Sequence, residues 1–221
     1  MVRNVMLLCV AIAMVATSAT ASNLVLNGGF TLGFSGGTFT DWVTSNCTNA
    51  QCTAASWALA NPYPAIGGDV PTDSTGAETG CTGSGCNNQT TGQRISQALS
   101  TTPGQVYTLV FYYVPALHPP GPNYQTELDV FWNGSLITNG QIVNAPSDTW
   151  TEYTFNLAAT GSSTVLEFTD RADPDFSLIT DISVNPYVDP ATLPEPVSFA
   201  LIGAGLLCMG AFGKKIQRRK I

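Results

Sequence analysis

Residues 22–185 are a succession of short apolar runs broken by Gly, Pro, Asn, Asp and Ser, and no stretch repeats its apolar residues at helical spacing. That pattern restricts the chain to an all-β fold. The runs predict strands at residues 24–26, 42–44, 56–59, 94–99, 106–114, 127–132, 150–157, 165–169 and 178–184. Within 127–132, strict alternation places Leu128, Val130 and Trp132 on one face and Glu127 and Asp129 on the other, as in a strand half covered by a core. Asn133-Gly134 then supplies the two positive-φ residues of a tight turn into Leu136-Ile137. Residues 106–114 are nearly continuous in apolar and aromatic side chains, which predicts a central position. Many short strands and close-set turns predict a two-sheet antiparallel sandwich, of jelly-roll topology.

Charge narrows the function. Residues 22–213 hold all 15 carboxylates of the chain but only two arginines, Arg94 and Arg171, a balance of −13. Such a body repels phosphate backbones, which excludes a nucleic-acid partner. The length, less the terminal segments described next, allows one domain of ordinary size.

Both ends read as addresses. Arg3, the apolar run 5–15 and the small residues Ala19-Thr20-Ala21 predict a secretory signal peptide over 1–21. Near the other end, residues 197–213 are 17 uncharged residues, roughly 25 Å as a helix, followed by Lys214-Lys215 and Arg218-Arg219-Lys220. A transmembrane helix over 197–213 with a basic cytoplasmic tail over 214–221 would leave the acidic body outside the inner membrane, as the signal peptide also requires. The organisation expected is therefore signal 1–21, sandwich 22–185, linker 186–196, helix 197–213 and tail 214–221.

Pro194-Glu195-Pro196, then the apolar segment, then the basic tail, resembles the PEP-CTERM sorting signal. The resemblance implies that Pro194, Glu195 and Pro196 are recognised by an exosortase, an integral-membrane cysteine protease. Export through the inner membrane, an anchored precursor and release to the cell surface or matrix follow from it. The two prolines suit such a role, because they fix an extended backbone and remove N–H donors. The alternative is a permanent single-pass anchor with an incidental proline-rich hinge.

The body carries a second resemblance. Asn23-Leu-Val-Leu-Asn-Gly-Gly-Phe30 with Trp42 after it, the segment from Ile95 to Leu109, and Ile179-Thr-Asp-Ile-Ser-Val184 are similar to the galactose-binding-like jelly rolls of carbohydrate-binding modules. That likeness implies a structural calcium between the first and last strands, held by main-chain oxygens, a Glu after the Gly-Phe and an Asp of the final strand. Asp181 matches the last of these, and Thr31 stands where the Glu would be. A hydrogen-bonded strand-end carboxylate is the alternative for Asp181.

Cys47, Cys52, Cys81 and Cys86 form two pairs with four residues between the members of each. In an exported chain they predict two disulfides, over zinc or free thiols. The local pairing, Cys47 to Cys52 and Cys81 to Cys86, is preferred, and crossed pairings remain open. Residues 61–93, dense in Gly, Thr, Ser, Asn and Pro, predict a long loop, and 115–122 a second, proline-stiffened one.

No catalytic constellation stands out. His118, the only His, sits among prolines without a nucleophile motif. The cluster Asp170-Arg171-Ala172-Asp173-Pro174-Asp175 reads as a turn. Trp57, Tyr63, Tyr124 and Trp150 are the candidate sugar-stacking platforms, and Trp42 and Trp132 are assigned to the core. The function expected is non-enzymatic association with extracellular polysaccharide. A purely structural matrix protein and, less favoured, a glycan hydrolase are the alternatives.

Overall fold

The computed structural model describes residues 22–45, 58–60, 67–68, 71–72, 75–80, 93–115, 125–173 and 176–189. The elements among them are all strands: β1 (Phe34–Ser35), β2 (Thr38–Phe39), β3 (Val43–Ser45), β4 (Ala58–Ala60), β5 (Gly67–Gly68), β6 (Gly76–Gly80), β7 (Gln93–Ser100), β8 (Val106–Pro115), β9 (Gln125–Trp132), β10 (Ser135–Val143), β11 (Thr149–Ala158), β12 (Ser163–Asp173) and β13 (Phe176–Pro186). All belong to the unit that ends at Pro186; of the following unit, Tyr187–Ile221, residues 187–189 are described and are exposed. The signal segment, the four cysteines, Trp57, Tyr63, His118, Tyr124, the Pro-Glu-Pro motif, the apolar segment and the basic tail lie outside the described residues.

One sheet has five strands in the order β10-β9-β12-β7-β3, and the other has six in the order β4-β6-β13-β8-β11-β5. Pairing is antiparallel throughout except for the short β5, which runs parallel to β11. This is a two-sheet jelly-roll sandwich. Alternation along each strand turns one set of side chains inward, so Leu128, Val130, Leu166 and Phe168 of the five-stranded sheet share one core with Leu109, Phe111, Ile179 and Val184 of the six-stranded sheet. Phe111 meets Phe168 edge-on across the gap, with ring centres 5.2 Å apart. Phe30 closes one end by packing on Phe39 and Trp42 at 4.8 and 5.5 Å. Trp42 and Trp132 are both buried, as alternation requires.

β8 is central in its sheet, between β13 and β11. Its inward Tyr107, Leu109, Phe111 and Tyr113 are fully covered, and its outward Val114 joins a small second cluster with Leu178 and Trp150.

Three expectations are corrected. Residues 61–93 are not loop throughout, because β6 lies inside the six-stranded sheet between β4 and β13, with Ala77 and Thr79 buried. Pairing on both sides makes a strand of a Gly- and Thr-rich segment that has little apolar signal of its own. The charged cluster at 170–175 is not a turn from its start: β12 continues to Asp173 and takes Asp170 into the interior. Residues 24–26 form no ladder strand, although Leu24 N–H donates to Val184 O at 2.8 Å.

Candidate functional site

Thr31 and Asp181, far apart in sequence, line one cleft of about 470 Å³ together with Asn23, Asn27, Thr72 and Tyr112. A bulge in β13 creates it. The register against β8 shifts between Thr180 and Ser183, and Asp181 takes a φ of 50°, a conformation that Asp tolerates better than most residues. The N-terminal segment presses against the bulge at Gly28, whose carbonyl accepts the Ile182 N–H at 3.1 Å. A Cβ at Gly28 would lie 2.0 Å from Ile182 O, so only glycine permits this approach. Asn23 fastens the end of the segment by accepting the N–H of Val184 on Oδ1 at 2.9 Å.

The described oxygens here do not fit the calcium that the sequence resemblance implies. Asp181 Oδ2 accepts both the backbone N–H and the hydroxyl of Thr72, the latter at 2.8 Å. Asn27 O accepts the Phe30 N–H and the Trp42 indole N–H, both at 3.1 Å. Gly29 O accepts the Thr75 hydroxyl at 2.5 Å. Calcium needs six to eight oxygens and usually several carboxylates. In this cleft the main-chain oxygens face N–H and O–H donors, and Thr31 brings no charge. Among the described residues no three His, Cys, Asp or Glu side chains gather as a metal site.

A second cleft, of about 490 Å³, opens between the β9–β10 hairpin and β11. Trp132, Leu136, Phe155 and Leu157 supply its apolar walls, and Thr138, Asn139, Thr154 and Asn156 its amides and hydroxyls. Among the described residues no ionisable side chain lines it. Its shape is held firmly. Trp132 is pinned by its indole N–H on Ala158 O at 2.9 Å, and β10 bulges at Asn139-Gly140, where the register against β9 shifts and Asn139 takes a φ of 60°. A Cβ at Gly140 would fall 2.3 Å from Ile137 Cγ1, so this bulge too requires glycine.

The outer face of the five-stranded sheet gathers the charge. Cross-strand register puts Arg171 opposite Glu127, and Thr169 opposite both Arg94 and Asp129. Arg94 reaches Glu167 at 3.5 Å, so both arginines of the body sit on this one face. Burial and then Glu127 hold the Asp129 carboxyl above its ordinary range, with Gln141 opposing.

A polar group also lies between the sheets. Asp170 is 1% exposed and accepts the hydroxyls of Tyr113, at 3.1 Å, and Ser177. Burial pushes its carboxyl up to about 7 against the pull of both hydroxyls, and pushes the Tyr113 phenol well above its ordinary value. Nearby on the strands that flank Asp170 and Ser177, both amide atoms of Gln93 and the hydroxyls of Thr79 and Thr126 have no hydrogen-bond partner among the described residues.

The expected stacking platforms are not assembled by the described residues. Trp150 is 4% exposed and packs with Val114 and Leu178, so its ring offers no face to a sugar. Tyr112, half-buried in the Asp181 cleft with its hydroxyl on Glu152 Oε2 at 2.7 Å, was not anticipated. Its place in an unbroken apolar run hid it, although position 112 alternates with the inward Phe111 and Tyr113.

No protein family and no curated protein sequence matches this chain. Solved structures do. The enzymatically active domain of tailspike protein 4 from bacteriophage CBA120 superposes with a TM-score of 0.51 at 14% identity, over 75% of this chain and 21% of that one, so the chain spans about a fifth of the phage protein's length. A family 61 carbohydrate-binding module in complex with beta-1,4-galactotriose gives 0.46 at 14% identity, over 76% of this chain and all of that one. The CBM22-1 xylan-binding domain of Paenibacillus barcinonensis Xyn10C gives 0.47 at 13% identity, over 75% and 95%. At such identities the likeness is one of fold.

Proposed function

We propose that the chain is an exported, exosortase-sorted protein of the cell surface or matrix whose sandwich binds neutral polysaccharide without cleaving it. The uncharged cleft between the β9–β10 hairpin and β11 carries the proposal. On a body of charge −13, a cleft whose described lining mixes apolar walls with amides and hydroxyls and holds no ionisable group suits a ligand that is itself uncharged and amphipathic. A pyranose is such a ligand, with C–H faces for Leu136 and Phe155 and hydroxyls for Thr138 and Asn156. Hydrolysis would need a pair of carboxyls flanking the bond, and among the described residues the two clefts hold one between them, Asp181. Sorting rests on Pro194-Glu195-Pro196 and the segments on either side.

Calorimetric titration of the full chain with xylohexaose and with beta-1,4-galactotriose tests the binding. Leu136→Ala and Thr154→Ala alter exposed walls of the cleft and should each weaken binding about tenfold. Affinity should be unchanged between low and high salt, since no charge is engaged. A chain that binds neither these nor other neutral glycans would be a structural matrix component instead.

A further inference from the structure

We infer that Thr72 and Thr75 clasp the sandwich closed in place of a metal ion, so that the fold is calcium-independent. Three parts of the chain meet at the β13 bulge: Gly28-Gly29 from the N-terminus, Thr180-Asp181 from the last strand, and the two threonines Thr72 and Thr75. The two threonines join the other two parts. Thr72 donates its backbone N–H and its hydroxyl to Asp181, and Thr75 donates its hydroxyl to Gly29 O at 2.5 Å. The last strand answers, because Thr180 donates its hydroxyl to Thr75 O at 2.6 Å.

These bonds span 46, 105 and 109 residues of chain, so each ties together parts that an unfolded chain holds far apart. Those of Thr75 and Thr180 are buried, where water competes little for the same groups. Two of the three acceptors, Gly29 O and the Asp181 carboxylate, are the main-chain and acidic oxygens that a cation at this junction would have to use. The clasp and a cation therefore compete for the same oxygens, because each hydroxyl or N–H donor already occupies acceptor capacity that a metal would need. Hydroxyl donors also need only one carboxylate here, and among the described residues Asp181 is the one carboxylate that lines the cleft, less charge than a calcium site usually gathers.

Thermal unfolding of the purified full chain decides between the two. The midpoint should be the same in millimolar calcium and in excess EGTA. Thr72→Val and Thr75→Val should each lower it by roughly 2–4 °C, equally in both buffers, while Thr72→Ser, which keeps both donors, should restore it. Asp181→Asn keeps an acceptor oxygen and should likewise shift the midpoint by the same amount with and without calcium. A wild-type midpoint that rises with calcium, or valine variants that melt as the wild type does, would overturn the inference. Should Thr75→Val fail to fold, the exposed Thr72 variants and the wild-type calcium comparison still decide it.

Discussion

Asp170 is the residue whose chemistry is most altered by the fold. Below pH 3.8 its carboxyl is protonated in the folded and the unfolded chain alike. From there to about 7 the unfolded chain ionises and the folded chain does not, so stability falls as pH rises, by about 1.4 kcal/mol per unit, and levels off above the folded value. The whole loss is about 4 kcal/mol. Asp170→Asn cannot ionise, so urea midpoints measured between pH 4 and 8 should fall less steeply than those of the wild type. Parallel curves would show that the group does not titrate on unfolding. Little of this could be read in the sequence, where Asp170 opens a run of acids ahead of Pro174 and has the look of a turn. Trp150 misleads in the same way. Period-two alternation assigns a strand residue to a face, yet it cannot say that Val114 and Leu178 accompany Trp150 on the outer face to make a second, covered cluster. Trp42 and Trp132 were legible because they fall on faces that the main core buries.

At the scale of elements, the long alternating or continuous runs became strands with small changes at their ends. Those at 94–99, 106–114, 127–132 and 150–157 correspond to β7, β8, β9 and β11. What the pattern missed were strands made by their neighbours. β6, Gly76-Ala77-Glu78-Thr79-Gly80, has no large apolar residue and is held by ladders to β4 and β13. The bulges that shape both clefts were also invisible, apart from the glycines and the Asn and Asp residues where they occur. β8 pairs along most of its length on both sides, and so does β12, whereas β10 pairs, among the described residues, only with β9 and is interrupted at its bulge. Amide hydrogen exchange should accordingly be slowest in β8 and β12 and markedly faster in β10. Equal protection across the five-stranded sheet would mean that the hairpin opens only with the whole molecule.

Among the described residues, the molecule keeps the ion-paired face of the five-stranded sheet apart from a cleft lined by uncharged side chains. Acids dominate the body, its two arginines share one sheet face with Glu127, Asp129 and Glu167, and the cleft beside β10 is left neutral. The acidic balance was plain in the sequence, but its distribution depends on cross-strand register, which turns distant positions into neighbours. The clefts needed the fold as well, since each is built from segments remote in sequence.

The placement of the arginines has a consequence for digestion. Residues 22–213 contain no lysine, so trypsin has only the bonds after Arg94 and Arg171 to cut there. Arg94 is paired to Thr169 and Ser45, and Arg171 to Glu127, so both bonds are woven into ladders of the five-stranded sheet. A protease must draw its substrate out as a single extended strand. The native body should therefore resist trypsin, and its fragmentation in rising urea should follow the unfolding curve, turning an ordinary digest into a gauge of how often that sheet comes apart.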